Sequence, residues 1–181
     1  MTSLTAEAQR RMTALVILAV LSTAWAAVLG ARGVPAISTA SAAPPAHVAP
    51  ACPFPSDLRP VFMSAARDTS LPPALLFAVA KVESNLRQDA TSAAGATGLL
   101  QVMPATARSL ALNPAEARTN VLAGARYLRQ MLDQFGTMDL ALAAYNAGPT
   151  AVAQAGGAPS VDVLTYVGNV KLIWQNHAGC S

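Results

Sequence analysis

From residue 56 onward, apolar positions recur at intervals of three and four, and no run alternates apolar with polar as a half-buried strand would. The stretch SDLRPVFMSAARDT places Leu58, Val61, Phe62, Ala65 and Ala66 on one helical face behind Ser56 as a cap. LPPALLFAVAKVESNL begins a second helix, with Pro72 and Pro73 suited to its first turn. RQDATSAAGATGLLQVM, punctuated by Gly and Ser, is too irregular for a long helix. Pro104 opens a short helix in PATARSLAL, and Asn113-Pro114-Ala115-Glu116 has the form of a capping box. TNVLAGARYLRQMLDQF then carries Val121, Leu122, Ala125, Leu128, Leu132 and Phe135 at helical spacing, with Gly136 placed to end it. MDLALAAYNAG reads as a short apolar helix stopped by Gly148-Pro149. After a Gly-Gly hinge, SVDVLTYVGNVKLIWQN is the last amphipathic helix, running toward Cys180. With no internal repeat, residues 56–181 are expected to form a single all-α (α-dominated) domain.

The pattern before residue 56 is different. MTALVILAVLSTAWAAVLG is a continuous apolar run of about a bilayer's thickness behind Arg10-Arg11. Residues 1–30 therefore read as a signal peptide or a membrane anchor. Small-residue cleavage sites ending at Ala26 and Ala42 fit the first, and the length of the run fits the second. Gln9-Arg10-Arg11-Met12 matches a twin-arginine signal only in part. Residues 31–55, rich in Ala, Pro and Ser, read as a linker. Export to the periplasm, cell envelope or exterior is expected, with membrane contact only through residues 12–30 if the signal is not cleaved.

Composition narrows the function classes. At 53% hydrophobic and 12% charged, the chain is neither a disordered tail nor a highly charged binding module. From residue 51 onward, nine Lys or Arg stand against eight Asp or Glu, without the basic clustering that tracks phosphates, so no nucleic-acid partner is expected. His47 and His177 lack metal-ligand spacing, and there is no nucleophile elbow and no phosphate-binding glycine loop. Hence no cofactor and no metal are expected. The two cysteines, Cys52 and Cys180, bracket almost all of the chain after the linker. In an exported protein they are expected to form a disulfide; two free thiols are the alternative.

One residue breaks the apolar pattern in a way that suggests chemistry. On a helix turning 100° per residue, Leu75, Val79, Val82 and Leu86 share an arc that Leu76 widens, and Glu83 falls between Val79 and Leu76. Burial favours the neutral form of a carboxyl group, and an acid kept protonated near neutrality can serve as a general acid. A carboxylate satisfying a backbone donor would give the same spacing, so the spacing alone does not decide.

The surrounding motifs add a specific likeness. Glu83-Ser84, then Gly98-Leu99-Leu100-Gln101-Val102-Met103-Pro104, then Ala144-Tyr145-Asn146-Ala147-Gly148 occur in the order and separation of the soluble lytic transglycosylase catalytic domain. The chain thus resembles this goose-type lysozyme-like family over about residues 56–175. The resemblance implies a lysozyme-like helical domain acting on peptidoglycan glycan strands as a monomer. It also implies cleavage of the β-1,4 bond between N-acetylmuramic acid and N-acetylglucosamine.

In that family one carboxyl group suffices. Glu83 would protonate the leaving oxygen, the sugar's own acetamido group would attack, and Glu83 would then deprotonate the 6-hydroxyl to close a 1,6-anhydro ring. Of the other acids, Glu116 falls in a capping position and Asp89 in the irregular segment. Gln101 has the donor and acceptor for an N-acetyl group, Met103 would line the sugar site, and Tyr145 would bond near the reacting centre. Ser84 and Asn146 would support Glu83 or the substrate, and Tyr166 would face the cleft. Leu100 stands where the family has Met, and Asp162-Val163 stands where it often has Glu-Thr. A lysozyme-like hydrolase and a non-catalytic glycan-binding protein are the alternatives.

Overall fold

The computed structural model describes residues 52–180, which form seven helices joined by turns and one long irregular segment. The expected signal or anchor of residues 1–30 and most of the expected linker lie outside the described residues. No helix of the described residues is long and apolar enough to cross a membrane.

Helix α1 (Arg59–Thr69) does not start behind Ser56. Leu58 and Arg59 both donate backbone N–H groups to Pro55 O, so a turn precedes the helix and Pro60 takes its first turn. Ser70 then turns left-handed and closes it. Helix α2 (Pro73–Ser84) opens on the expected proline pair and ends at Asn85, left-handed at φ 54°. It is less amphipathic than its spacing suggests. Ala74 through Ala80 are all buried, because α1 and α7 pack against it from different sides. Only its last turn, with Val82 and Glu83, opens toward solvent.

Residues 85–103 form the irregular segment, pinned by isolated antiparallel bridges from Thr97 to Thr91 and to Val102. Helix α3 (Pro104–Ser109) follows. Asn113 forms an Asx turn, accepting the Ala115 N–H at 3.1 Å, and Glu116 becomes the N-cap residue of α4 (Ala117–Phe135). Gly136, at φ 74°, ends α4. Helix α5 (Met138–Ala147) is capped by Thr137. Gly148 then leads into α6 (Pro149–Ala155), a helix the hydrophobic pattern did not predict, and the expected Gly-Gly hinge begins at Gly156, which ends it. Helix α7 (Val161–Asn176) is capped by the Ser160 hydroxyl.

Helix α4 packs between α1 and α5, and α5 also meets α6 and α7. The core between them is built from Leu75, Leu76, Val79, Leu99, Leu100 and Leu142, all fully buried. Cys52 and Phe54, expected at the end of the linker, belong to this core. Cys52 is bonded to Cys180, and Phe54 stacks on Phe62 at 4.4 Å and meets Phe77 edge-on at 5.3 Å.

Candidate active site

The last turn of α2 brings Glu83 against α7, where the Tyr166 hydroxyl donates to its Oε1 at 2.8 Å. Burial pushes the Glu83 carboxyl up to about 7 from an ordinary value of 4.5, against the opposing effect of the Tyr166 hydrogen bond. Glu116 and Asp89 are both exposed, and burial and the Tyr166 hydrogen bond, not a second carboxylate, set the Glu83 carboxyl. Tyr166 is buried, and its phenol is raised well above its ordinary value by desolvation and then by the Glu83 charge. The same two causes, in the same order, raise Tyr145. Glu83, Tyr145 and Tyr166 therefore form one electrostatic unit contributed by α2, α5 and α7.

Tyr145 also borders a cleft of about 270 Å³, with Gln101, Met103, Thr106, Tyr127 and Asn146 among its walls. Its hydroxyl donates to Leu100 O at 2.6 Å, and its ring lies 5.4 Å from that of Tyr127. Met103 is 41% exposed, an apolar side chain held open to solvent at the start of α3. A larger depression of about 520 Å³ shares none of these residues; Arg126 in its wall is already paired with Asp68.

Gln101 differs from expectation in one respect. Its amide nitrogen donates to Gly98 O at 2.9 Å and to Ala90 O at 3.1 Å, which occupies both N–H bonds. The carbonyl oxygen takes no hydrogen bond from the described residues, so Gln101 offers the cleft an acceptor only. Ser84 departs further. It is buried outside the cleft walls, with Oγ at 2.9 Å from Leu99 O and 3.1 Å from Ala80 O. Its hydroxyl instead ties the end of α2 to the irregular segment. Among the described residues no cluster of His, Cys, Asp or Glu could hold a metal ion.

Residues 60–160 match the Transglycosylase SLT domain. The chain belongs to this family. It is 41% identical over 86 residues to a transglycosylase of Enterobacteria phage PRD1, an overlap of 47% of this chain and 32% of that one. It is 30% identical over 131 residues to the soluble lytic murein transglycosylase of Salmonella typhimurium, across 65% of this chain and 20% of that one. Among solved structures, the lytic transglycosylase Slt of Pseudomonas aeruginosa superposes with a TM-score of 0.58 at 30% identity, over 71% of this chain and 25% of that one. The 70 kDa soluble lytic transglycosylase of Escherichia coli gives 0.59 at 26% identity, over 67% and 24%. The SLT chain thus spans a third or less of the length of these relatives.

Three residues that shape the site, Tyr127, Asn120 and Gly124, escape motif reasoning. Tyr127 forms a wall of the cleft. Asn120 is buried under the irregular segment and holds its backbone. Gly98 and Gly124 permit close approach: a Cβ on Gly98 would lie 2.4 Å from Asn120 Nδ2, and one on Gly124 would lie 2.5 Å from Leu100 Cβ. Asn120, Gly124, Leu128 and Met131 follow one another at helical spacing along the buried face of α4. A polar residue and a glycine on such a face are the signals that could have revealed the contact.

Proposed function

We propose that this SLT chain is an exported lytic transglycosylase that cleaves the β-1,4 bond between N-acetylmuramic acid and N-acetylglucosamine in peptidoglycan. Glu83 is its single general acid and base. The observation that carries the reading is a carboxyl group raised to about 7, whose charge acts on Tyr145 in the wall of the cleft, with no second carboxylate acting on it. A glycosidase with a carboxylate nucleophile needs a second carboxyl group about 5 Å from the first. Without one, no side chain serves as the nucleophile, and the acetamido group of the substrate takes that part in this reading.

A carboxyl raised to about 7 has both its forms within reach near neutral pH, which suits both giving and taking a proton. Glu83 donates its proton to the glycosidic oxygen as that bond breaks, and the acetamido oxygen of the same sugar bonds to the anomeric carbon. The Gln101 carbonyl oxygen is free to accept from the acetamido N–H and so hold it in line. Once charged, Glu83 is stabilised by the Tyr166 hydroxyl. It then removes the proton of the 6-hydroxyl, whose oxygen attacks the anomeric carbon and displaces the acetamido oxygen. The 1,6-anhydro ring closes and Glu83 is protonated again. Met103, Tyr127, Tyr145 and Asn146 are the walls that bind sugar.

The relatives support the substrate: several are described as lytic murein transglycosylases, one of them, from Cellvibrio japonicus, as membrane-bound. The Pseudomonas aeruginosa structure is of an inactive variant in which one glutamate is replaced by glutamine. The Cys52–Cys180 bond and the apolar run near residue 12 support a place outside the reducing cytosol, where a monomer acts on the wall.

Mass spectrometry of peptidoglycan digested by the full-length chain tests the proposal, with Glu83→Gln as control. Muropeptides ending in 1,6-anhydro sugar, absent with the variant, are the expected result. Reducing ends would mean that water is the nucleophile, and cleavage by Glu83→Gln at the wild-type rate would remove Glu83 from the mechanism.

A further inference from the structure

The irregular segment hangs on one buried side chain. Asn120, 1% exposed, lies on α4, and all its hydrogen bonds go to main chain. Nδ2 donates to Thr97 O at 2.8 Å and to Pro114 O at 3.1 Å, while Oδ1 accepts the Leu100 N–H at 2.9 Å. Gly98 lies so near that a Cβ there would meet the carboxamide, so the loop is drawn down onto it. Leu100 is the node. Its N–H goes to Asn120 on α4, and its carbonyl takes the Tyr145 hydroxyl on α5. One residue earlier, Leu99 O takes the Ser84 hydroxyl beside Glu83. One residue later, Gln101 is held left-handed at φ 44°, its carboxamide turned into Gly98 O and Ala90 O.

We propose that Asn120 is a positioning residue of the active site, clamping residues 97–100 so that Gln101 and Tyr145 are presented to the substrate at a fixed distance from Glu83. The inference rests on the transglycosylase reading for its kinetic consequence, but not for its geometry. The clamp needs two donors and one acceptor in a single planar group, which among side chains of this size only asparagine has. Aspartate has the same shape but turns an oxygen toward the carbonyls of Thr97 and Pro114. Serine has one donor and reaches less far. Because the loop bears the acetamido acceptor, a small displacement acts on orientation, from which a large part of the rate of such a reaction arises.

The test is Asn120→Asp and Asn120→Ser in the full-length chain, each alone and combined with Gln101→Ala. The substrate is soluble glycan strands, assayed well below each variant's melting temperature. The expected result is a fall of about tenfold or more in kcat with KM within about threefold, and little further loss when Gln101→Ala is already present. In 15N-labelled protein, the Gln101 side-chain amide and the Leu100 backbone amide should move and exchange faster. A residue that merely stabilises the fold would lower the melting temperature but leave kcat and the Gln101 signals unchanged, and that result would overturn the proposal. Fully independent losses in the double variant would overturn it too. If the wild type yields no anhydro product, the functional reading fails, and the Gln101 and Leu100 signals still decide whether Asn120 is the clamp. Should Asn120→Asp not fold, Asn120→Ser supplies both readouts.

Discussion

The Tyr166 hydroxyl on α7 donates to Glu83 Oε1 on α2 at 2.8 Å, so the two helices meet at the proposed acid. This contact works against the burial around it. Desolvation favours the neutral carboxyl and the tyrosine favours the charged one, and desolvation prevails at about 7. A group with two roles benefits from that balance, because an acid pinned in one state could not perform both steps.

Removing the hydroxyl should tilt the balance. Tyr166→Phe loses a hydrogen bond to a charged group worth about 1.5–3 kcal/mol, which is about one to two pKa units. The Glu83 pKa should rise, since the carboxylate loses its partner. The first step needs the protonated acid, so activity falls as pH rises through that pKa. In the variant this alkaline limb should lie about one unit higher than in the wild type, with a lower plateau. A pH–rate profile decides: a limb that stays near 7 would mean that Tyr166 does not tune Glu83.

The same raised pKa predicts a cost in stability. With a folded value of about 7 against 4.5 unfolded, the folded state holds the proton more tightly. That contribution is complete below 4.5 and is lost as pH rises through 7. The difference corresponds to about 3 kcal/mol at most. Glu83→Gln has no charge to bury, so it should be inactive yet more stable than the wild type at pH 8, with the advantage shrinking toward pH 5. Urea unfolding at the two values measures this, and a variant less stable at pH 8 would contradict the burial argument.

A third prediction concerns the close approach of α4. A Cβ on Gly124 would sit 2.5 Å from Leu100 Cβ and 2.8 Å from the Tyr145 hydroxyl. Gly124→Ala must therefore push Leu100 away or displace Tyr145 from its carbonyl. Overpacking of this kind costs about 1–3 kcal/mol. Both the melting temperature and kcat should fall, whereas alanine at Gly157, where a Cβ meets nothing within 4 Å, should leave both near wild type.

Helices were legible where local signals dominate. Pro72-Pro73, Gly136 and Ser160 sit at the helix ends the sequence assigns to them, because caps act within one turn. Ser56 failed as a cap because Pro55 O accepts the N–H groups of Leu58 and Arg59, which a Ser56 cap would have needed. Helix α6 carried its own signals, Pro149 at the start and Gly156 at the end, but seven residues are too few to show a period. Of the site, Glu83 and the cleft residues Gln101, Met103, Tyr145 and Asn146 were legible through their motifs. The bonds that Ser84 and Asn120 make to the irregular segment were not, since those partners lie 15 to 23 residues away in a stretch without periodicity. No spacing rule reaches across such a loop.

The disulfide should matter more to persistence of the fold than to chemistry. It joins residues 128 apart, and closing a loop of that length in the unfolded chain is worth about 5 kcal/mol in the entropic account. Its ends hold both edges of the site's framework. Cys52 leads through Phe54 to the rings of Phe62 and Phe77, and Cys180 follows α7, which bears Tyr166. Cys52→Ser with Cys180→Ser should therefore lower the melting temperature by about 10–20 °C. Below its own transition the variant should keep the wild-type pH–rate profile, because neither cysteine acts on Glu83. Thermal unfolding with and without reductant checks the first half, and the profile of the double variant checks the second. If the alkaline limb moved with the bond broken, the position of α7, and with it the Tyr166–Glu83 contact, would depend on the disulfide.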